Sequence, residues 1–471
     1  MHFSFILSRI FSEENEFSFV YVHNYTLLAK KINPFLHKNL LFFHGYFPEL
    51  LAKRKERGKM KEYLTVESRL RVTNEYSRRP LMNQNLVSSF SFVLPTKVVY
   101  GPGCLPQLVD ELKANGGTKP LVITDQGVVK AGILDKITAL LDDAGIEYKV
   151  FDGVEANPKD VNVEAGAEVA REFGSDCLVA VGGGSPIDCA KSIGVLLAHN
   201  ATEIKKYEGK TAATEPLPLL INVPTTSGTG SELTFSSVIT DTKNHYKMTV
   251  KSPFTAGKVA ICDPELTLSV PASVTAATGM DALTHAIEAY TANCSEPIAD
   301  AVALYAIELI YGNLLQAVEH GDDLDARSAM LMGSMLAGIA FSHSDVASVH
   351  CVAESLGGIY DLPHGTCNAI FLPHVMEYSM DYGKEKYARV AKAMGFVFDT
   401  DDEGAKLAVD AVQKLAKDVK LPLFSDLKGV SPADFDLLAD MSAKNISTES
   451  NPRPMDKQDY LNVLQMAWDA K

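Results

Sequence analysis

The chain has 471 residues, of which 46% are hydrophobic and 22% are charged. This is the composition of a globular protein long enough for two or three domains, and it excludes a disordered or collagen-like chain. The formal net charge of -15 opposes binding to the phosphate backbone of nucleic acids and to anionic lipid surfaces. We therefore expect no nucleic acid partner and no membrane partner.

The spacing of the cysteines and the shortness of the apolar stretches favour a protein of a reducing compartment. Seven cysteines lie between Cys104 and Cys367 without a CxxC pair, so neither a disulfide framework nor a thiolate zinc site is predicted. The apolar stretch at residues 17–29 is interrupted by polar residues and falls short of the roughly 20 residues of a membrane span. Arg9 and the acidic residues after it also disfavour a secretory signal, so we expect a cytoplasmic protein.

Residues 1–81 differ in composition from the rest of the chain. They carry 14 basic residues, 8 acidic residues and two glycines, against 30 basic residues, 51 acidic residues and 30 glycines in residues 82–471. They also show no sustained helical or strand period. One interpretation is that translation begins at Met82, and the alternative is a genuine basic N-terminal arm. Residues 1–81 are therefore left unassigned.

The remaining chain is predicted to change architecture near Asp263. Before this point short apolar, β-branched runs alternate with helical patterns, and the predicted strands are residues 98–100, 121–123, 178–181 and 219–223. This alternation is typical of a parallel α/β sheet. Residues after Pro264 follow helical patterns. We predict an α/β dinucleotide-binding domain in residues 82–263 and an all-α metal and substrate domain in residues 264–471, with a cleft at their seam.

A glycine-rich turn follows the third predicted strand. Gly182, Gly183 and Gly184 lead into a helix, for which Ser185 suits the N-cap and Pro186 the first helical position. Glycines let a diphosphate approach the backbone N–H groups at the positive end of a helix. The turn therefore predicts a phosphate site, although a tight strand-to-helix turn without a ligand would show the same residues.

Two further polar features follow predicted strands, a threonine-containing loop and a single aspartate. Thr225, Thr226 and Thr229 lie in a loop of small hydroxyl residues and glycines that could line a nucleotide, or that could be a surface turn. Asp125 ends the strand at 121–123, at the sheet edge where adenosine riboses bind in open α/β folds. Asp125 could therefore bind both ribose hydroxyls, and the alternative is a helix N-cap.

Three histidines and one aspartate form a candidate metal set. Asp281 and His285 are four residues apart in a helical segment, so both side chains project from one face. We expect His350 in a later helix that Gly357 and Gly358 terminate, and His364 in a turn just before another helix. This donor set suits Fe(II), Zn(II) or a neighbouring divalent ion, and it does not suit calcium or magnesium.

The other histidines lack such partners. His199, His245, His320 and His374 are interpreted as structural or exposed residues, and His343 is left open because it lies near the candidate site along the chain.

The ordered motifs of residues 88–471 resemble the iron-containing alcohol dehydrogenase family. The resemblance rests on Gly-Pro-Gly at 101–103, Gly-Gly-Gly-Ser-Pro-x-Asp from 182, Pro-Thr-Thr-x-Gly-Thr from 224, Gly-x-Asp-Ala-Leu-Thr-His-Ala-x-Glu from 279, and Leu-Pro-His-Gly from 362. It implies a dehydroquinate synthase-like architecture, an α/β nucleotide-binding domain followed by a helical metal domain. It also implies a dimer or a higher homo-oligomer.

The resemblance assigns residue roles. It implies that iron is bound by Asp281, His285, His350 and His364. It implies that a nicotinamide dinucleotide is contacted by Asp125, by the turn of Gly182, Gly183, Gly184 and Ser185, and by Thr225, Thr226, Thr229 and Lys247. Phe341 and Ile446 would border the substrate.

The sequence departs from the family pattern at Glu354. Relatives are expected to carry a histidine four residues after the third metal ligand, where this chain has Glu354 after His350. Glu354 lies one helical turn from His350 and therefore on the same face. We interpret it as a candidate catalytic proton relay, and the alternative is a solvated carboxylate at a helix end.

The predicted function is reversible, NAD-dependent oxidation of a small primary alcohol to its aldehyde, with the metal as Lewis acid. One alternative is a glycerol dehydrogenase or dehydroquinate synthase-like relative of the same architecture. Another is a nucleotide-binding subunit without catalysis, against which the intact set of four candidate ligands argues.

Overall fold

The computed structural model describes residues 89–470, and the expectation for residues 1–81 lies outside this range. Eight strands occur in the described residues: β1 (Lys97–Tyr100), β2 (Pro120–Asp125), β3 (Lys149–Val154), β4 (Cys177–Gly182), β5 (Leu219–Pro224), β6 (Ser236–Asp241), β7 (Tyr246–Lys251) and β8 (Val259–Cys262). Six of them form one parallel sheet in the order β1-β8-β5-β4-β2-β3. The predicted parallel α/β sheet is confirmed, with β3 and β8 as additional strands.

The sheet separates two hydrophobic cores. In β4, Leu178 and Ala180 contribute to one core, whereas Val179 and Val181 contribute to the other. Successive side chains of a strand point to opposite faces, and a parallel sheet is usually covered on both. This explains why β4 is apolar at nearly every position. The covering helices are α1 (Gln107–Ala114), α2 (Gln126–Lys130), α3 (Ile133–Asp143), α4 (Asp160–Phe173) and α5 (Gly184–Ala198).

The order of the strands creates a switch point between β2 and β4. From β2 the chain adds β3 on one side, and then crosses to add β4 and β5 on the other. Ligands of open α/β sheets bind outside the carboxyl ends of the strands at such a point. Asp125 ends β2 and Gly182 ends β4, so the two predicted nucleotide-binding segments flank the switch point.

An antiparallel hairpin of β6 and β7 interrupts the α/β pattern, and the sequence did not predict it. Its burial alternates along both strands. Thr, Ser and Lys residues fill most of its partly exposed positions, with Val238 and Tyr246 at the others. The hairpin therefore lacks the continuous apolar runs by which the other strands were recognised. The hairpin matters for the site because β7 carries Lys247.

All regular elements after Asp263 in the described residues are helical, as predicted. The stretch forms one large hydrophobic core. That these helices fold separately from residues 82–263 stays a prediction. The α-helices are α6 (Ala272–Thr291), α7 (Pro297–Glu319), α8 (Leu324–His343), α9 (Ser348–Tyr360), α10 (His364–Ser379), α11 (Lys384–Ala393), α12 (Asp401–Asp418), α13 (Phe435–Ala443) and α14 (Lys457–Asp469).

Helix α7 is the one helix of the described residues whose length and composition would permit a membrane crossing. The sequence analysis predicted no membrane span. Core helices pass the same test, and α7 contributes Ala303, Ile307, Ile310 and Leu314 to the helical core.

Helix α8 joins the helical part to the sheet. Leu331, Met335 and Ile339 of α8 form a small core with Leu233 and Cys262. A Cβ atom at Gly338 would lie 2.7 Å from the carbonyl oxygen of Gly230, which itself has a φ of +60°. The backbones therefore meet at this contact, and no flexible side chain can move aside to admit a larger residue.

Replacing Gly338 tests this close approach. We expect Gly338→Ala to lower the free energy of unfolding by about 1–3 kcal/mol, because overpacking forces backbone shifts. Gly312→Ala is the matched control in α7, since a Cβ atom there would meet nothing within 4 Å. That control should be neutral or slightly stabilising, because alanine favours helix. Thermal melts of both variants measure the difference, and equal melting temperatures would contradict the close contact.

Candidate active site

A cavity of about 570 Å³ is lined by residues from both parts of the chain. Ten predicted site residues line it: Gly184, Ser185, Thr229, Lys247, His285, Phe341, His350, Glu354, His364 and Ile446. Six others do not line it: Asp125, Gly182, Gly183, Thr225, Thr226 and Asp281. Asp263, near which the cleft was predicted, instead caps a short turn and also does not line the cavity.

The glycine turn opens α5 two residues earlier than predicted. Gly183 is the N-cap and Gly184 the first helical residue, so the prediction of Ser185 as N-cap and Pro186 as first helical residue is wrong. The reason is a tertiary contact, because the loop that carries Thr225, Thr226 and Thr229, called the threonine loop below, packs against the turn. A Cβ atom at Gly184 would lie 2.7 Å from Thr229 Cγ2. The first helical turn can therefore begin only at a residue without a side chain.

Contacts between the glycine turn and the threonine loop make one surface of bare backbone and hydroxyl groups. The backbone N–H of Thr225 donates to the carbonyl of Gly182 (3.0 Å). A Cβ atom at Gly183 would lie 2.9 Å from Thr226 Oγ1. Gly182 has a φ of +150°, and a Cβ there would lie 2.5 Å from Pro186 Cγ. This conformation requires glycine, and it presents the N-terminus of α5 to the cavity.

Asp125 has the capping role that the sequence left open. Its Oδ1 accepts hydrogen bonds from the backbone N–H groups of Gly127 (2.7 Å) and Val128 (3.0 Å), at the start of α2. The cap fixes the carboxylate at the carboxyl end of β2. Binding of a ribose by Asp125 stays a prediction.

Lys247 extends from β7 towards α9. Its Nζ donates to Asn157 Oδ1 (2.9 Å), and a Cβ atom at Gly357 would lie 3.1 Å from this Nζ. Burial lowers the pKa of Lys247, and the carboxylate of Glu354 opposes this shift. Lys247 and Glu354 thus face the same part of the cavity.

Helix α9 runs through the glycines that were predicted to end it. It ends at Tyr360, followed by Asp361 in the left-handed conformation, so the prediction that Gly357 and Gly358 terminate the helix is wrong. A Cβ atom at Gly358 would lie 3.2 Å from the carbonyl oxygen of His245. The two glycines instead permit the close approach of the β6–β7 hairpin to α9.

The four predicted metal ligands converge. One potential ligand atom from each of Asp281, His285, His350 and His364 lies within 4.8 Å of all the others. Asp281 and His285 come from one face of α6 as predicted, whereas His350 lies in α9 and His364 begins α10. Asp281, His285 and His350 are buried, and His364 is partly exposed to the cavity. Small movements would bring all four to the roughly 2.0–2.2 Å of nitrogen and oxygen ligands around zinc.

The hydrogen bonding around Asn368 shows that this cluster suits a cation. Asn368 Nδ2 lies 2.7 Å from Asp281 Oδ1, 3.0 Å from His350 Nε2 and 3.1 Å from His364 Nε2. A primary amide has two hydrogens and cannot satisfy three acceptors. Nδ1 of His285 is also buried without a hydrogen-bond partner. One divalent ion bound by the three imidazoles and the carboxylate would satisfy this excess of acceptors.

The protonation of two histidines agrees with ligation. Burial, together with neighbouring His350, holds the pKa of His285 well below its usual range. Burial and the Lys247 ammonium do the same to the pKa of His364. Both imidazoles are therefore neutral near pH 7, and a neutral imidazole has the lone pair that a metal requires.

Glu288 and Asn368 belong to the site, and sequence reasoning gave neither of them a role. Glu288 Oε2 lies 2.5 Å from His350 Nδ1, and both side chains are buried. The position of Glu288, three residues after His285 on the same helix, could have indicated it. Asn368 follows His364 by four residues in α10, and no sequence signal set it apart from other buried amides.

The remaining predicted residues frame the cavity beside this cluster. The ring of Phe341 stacks on His285 with centroids 4.5 Å apart. Ile446 lines the cavity while 57% of its surface stays exposed, so it lies at the rim. Glu354 Oε2 accepts a hydrogen bond from Asn445 Nδ2 (2.6 Å).

Two of the histidines outside the candidate set have structural contacts. His199 Nε2 accepts from the backbone N–H of Thr214 (3.1 Å). His343, which the sequence left open, stacks on Phe92 at 4.0 Å and does not line the cavity.

Comparisons with known proteins agree with this fold. A family model described as iron-containing alcohol dehydrogenase matches residues 95–264, and one for the C-terminal part of the same family matches residues 275–468. The chain is 42% identical over 383 residues to a 1,3-propanediol dehydrogenase from Citrobacter freundii, covering 80% of this chain and 99% of that protein. It is 37% identical to a lactaldehyde reductase from Escherichia coli, covering 78% and 97%. A solved sulfoacetaldehyde reductase from Bifidobacterium kashiwanohense in complex with NAD+ is 28% identical, with a TM-score of 0.74, covering 82% and 100%.

The fold and the site thus define an α/β protein with a helical part that holds the candidate metal ligands. The chain belongs to the iron-containing alcohol dehydrogenase family. It is therefore an oxidoreductase that acts on alcohols, and the comparisons support an NAD-dependent alcohol dehydrogenase.

Removing one ligand tests the metal cluster. We expect His285→Ala to lose most of the bound metal and nearly all turnover, because three ligands remain for an ion that four would hold. Binding of NADH, followed by its fluorescence, should change little, since the glycine turn lies on other elements. His320→Ala is the control, because His320 is an exposed helix-end residue. Full metal content in His285→Ala would contradict the ligand assignment, and loss of both metal and NADH would indicate misfolding.

Proposed function

We propose that the protein catalyses the reversible oxidation of a small primary alcohol to its aldehyde with NAD, using Fe(II), with Zn(II) as the alternative metal. The observation that carries the proposal is the single cavity that contains both the start of α5 and the histidine cluster. A dinucleotide bound with its phosphates at Gly184 and Ser185 could extend its nicotinamide towards His285 and His350. The two reactants would then lie in contact, as hydride transfer requires.

The residues of the cluster hold the metal and shape the substrate site. Asp281, His285, His350 and His364 would bind the divalent cation, which supplies Lewis acid chemistry to the alcohol oxygen. Phe341 and Ile446 border the space beside His285 and would enclose a short apolar chain. The volume of about 570 Å³ must also hold part of the cofactor, which favours a small substrate.

The remaining proposed contacts belong to the cofactor. The glycine turn of Gly182, Gly183, Gly184 and Ser185 would hold the diphosphate, together with the hydroxyl groups of Thr225, Thr226 and Thr229. Lys247 would approach the nicotinamide end, because its ammonium lies near Glu354 and the histidine cluster. We further propose a cytoplasmic homodimer or higher homo-oligomer, which the family resemblance supports.

An assay of metal and cofactor together tests the proposed reaction. The purified protein is analysed for bound metal, and the absorbance of NADH is followed with a panel of short primary alcohols, diols and glycerol. We expect turnover in proportion to bound iron or zinc, and loss of turnover after chelation that returns with the metal. Undiminished activity of a metal-free preparation would contradict the mechanism.

Asp125 is expected to make the enzyme prefer NAD over NADP. A carboxylate near the ribose would face a 2′-phosphate of like charge, and like charges about 4 Å apart repel by roughly 1–4 kcal/mol. Asp125→Asn should narrow the preference by about tenfold or more, measured as the ratio of kcat/KM for the two cofactors. An asparagine keeps an oxygen for the cap on Gly127 and Val128, so folding should be preserved. Equal use of both cofactors by the unsubstituted enzyme would contradict this role.

Glu354 is expected to relay the proton that the alcohol releases. It lines the cavity one turn after His350 and faces Lys247 from β7 and Asn445. We expect Glu354→Gln to lower kcat on the order of 10²-fold and to reshape its pH dependence, because an amide cannot transfer the proton. Metal content should be unchanged, since Glu354 is not among the ligands.

Glu354→His is the companion variant, because the resemblance places a histidine at this position. It should recover turnover with a pH profile shifted towards the titration of an imidazole. If the pH profile of Glu354→Gln matches that of the unsubstituted enzyme, another group carries the proton.

A further inference from the structure

Helix α6 presents three polar side chains to the metal cluster, and only two of them belong to the proposed ligand set. Asp281, His285 and Glu288 follow one another at four and three residues, so they lie on one face. All three are buried, with 2%, 5% and 3% of their surface exposed. A buried carboxylate is costly unless it is paired, so the partners of Glu288 indicate what it does.

The Glu288 carboxylate accepts three hydrogen bonds from the start of α9. The backbone N–H of Val349 donates to Oε1 (2.7 Å), and that of Ala347 donates to Oε2 (3.0 Å). The third partner is His350, whose Nδ1 lies 2.5 Å from the same Oε2. Ala347 is the N-cap of α9 and has no side chain that could cap it. The carboxylate of α6 therefore caps α9 from outside and also fixes the ring of His350.

This arrangement sets the tautomer of His350. A carboxylate oxygen only accepts hydrogen bonds, so Nδ1 of His350 must carry the hydrogen. In the neutral ring Nε2 then keeps its lone pair, and it points into the cluster, 3.0 Å from Asn368 Nδ2. Such carboxylate–histidine pairs fix the orientation of a metal ligand and raise its basicity.

We propose that Glu288 is a positioning residue that fixes the ring and the tautomer of His350 for metal binding. This inference rests on the proposed metal site. It assigns Glu288 a role beyond capping, because the same oxygen that holds Ala347 also holds the imidazole. Capping and ring orientation are coupled, because Glu288 holds the start of α9 and this same helix carries the ring of His350.

Glu288→Gln tests the proposal. Glutamine has one acceptor oxygen and an NH2 group, so it cannot accept from Val349, Ala347 and His350 together, and one donor must face another. We expect the affinity of the metal-depleted protein for Zn(II), measured by competition with a chromogenic chelator, to fall by about 10–100-fold. The visible absorption of the Co(II)-loaded variant should also differ from that of the unsubstituted protein, because the geometry at His350 changes. A cap without a role at the metal would leave this spectrum unchanged.

Glu296→Gln is the matched control. Glu296 is a buried carboxylate that caps α7 through the N–H groups of Ile298 (2.8 Å) and Ala299 (2.7 Å), and it contacts no histidine in the described residues. We expect it to lower the melting temperature of the metal-depleted protein while leaving Zn(II) affinity and the Co(II) spectrum unchanged. If Glu288→Gln fails to fold, Glu288→Asp replaces it, because aspartate keeps both oxygens but shortens the reach to His350.

The outcomes separate this inference from the proposed function. If the unsubstituted protein binds no divalent metal, the proposed function fails, and the inference fails with it. If the unsubstituted protein binds metal and Glu288→Gln binds it equally well with the same Co(II) spectrum, only the role of Glu288 is overturned. Equal losses of affinity in Glu288→Gln and Glu296→Gln would also overturn it, because the effect would then be one of general stability.

Discussion

The burial of one carboxylate and two imidazoles, beside a third imidazole that is partly exposed to the cavity, is the constraint on which the site depends. Polar groups in such a place are costly unless they are paired. The structure pairs Asp281, His350 and His364 with Asn368, and it pairs His350 with Glu288, from three helices that are distant in sequence. The excess of acceptors that remains around Asn368 is what a divalent cation would satisfy. The packing of α6, α9 and α10 therefore also determines the chemistry of the site.

The side of the cavity formed by the glycine turn depends on a different constraint, the close approach of backbones. The glycine turn and the threonine loop pack so tightly that side chains at Gly183 or Gly184 would collide with the threonines. The same loop continues to Gly230, which meets Gly338 of α8. Helix α8 also carries Phe341, which stacks on His285. This chain of contacts connects the start of α5 to the candidate metal cluster, so the two proposed ligand sites are joined by direct packing.

The places where sequence reasoning failed share a cause. Ser185 has every property of an N-cap, but the threonine loop moves the helix start to Gly184. Gly357 resembles a helix terminator, but its missing side chain makes room for Lys247. In both cases the local pattern was typical of the predicted feature, and a contact from a distant segment determined the outcome. Asp125 is different, because its cap is local and its binding of a ribose stays a prediction.

The sequence by itself determined the parallel sheet, the helical second part, the glycine turn and the pairing of Asp281 with His285, because these depend on periods of two or 3.6 residues and on local turn chemistry. The tertiary structure alone placed His350, Glu288 and Asn368 around that pair, and it added the β6–β7 hairpin that carries Lys247. The physical reason is the distance along the sequence between the residues that interact. Local spacing fixes which face of an element a side chain occupies, whereas the partner of that face depends on how whole helices pack.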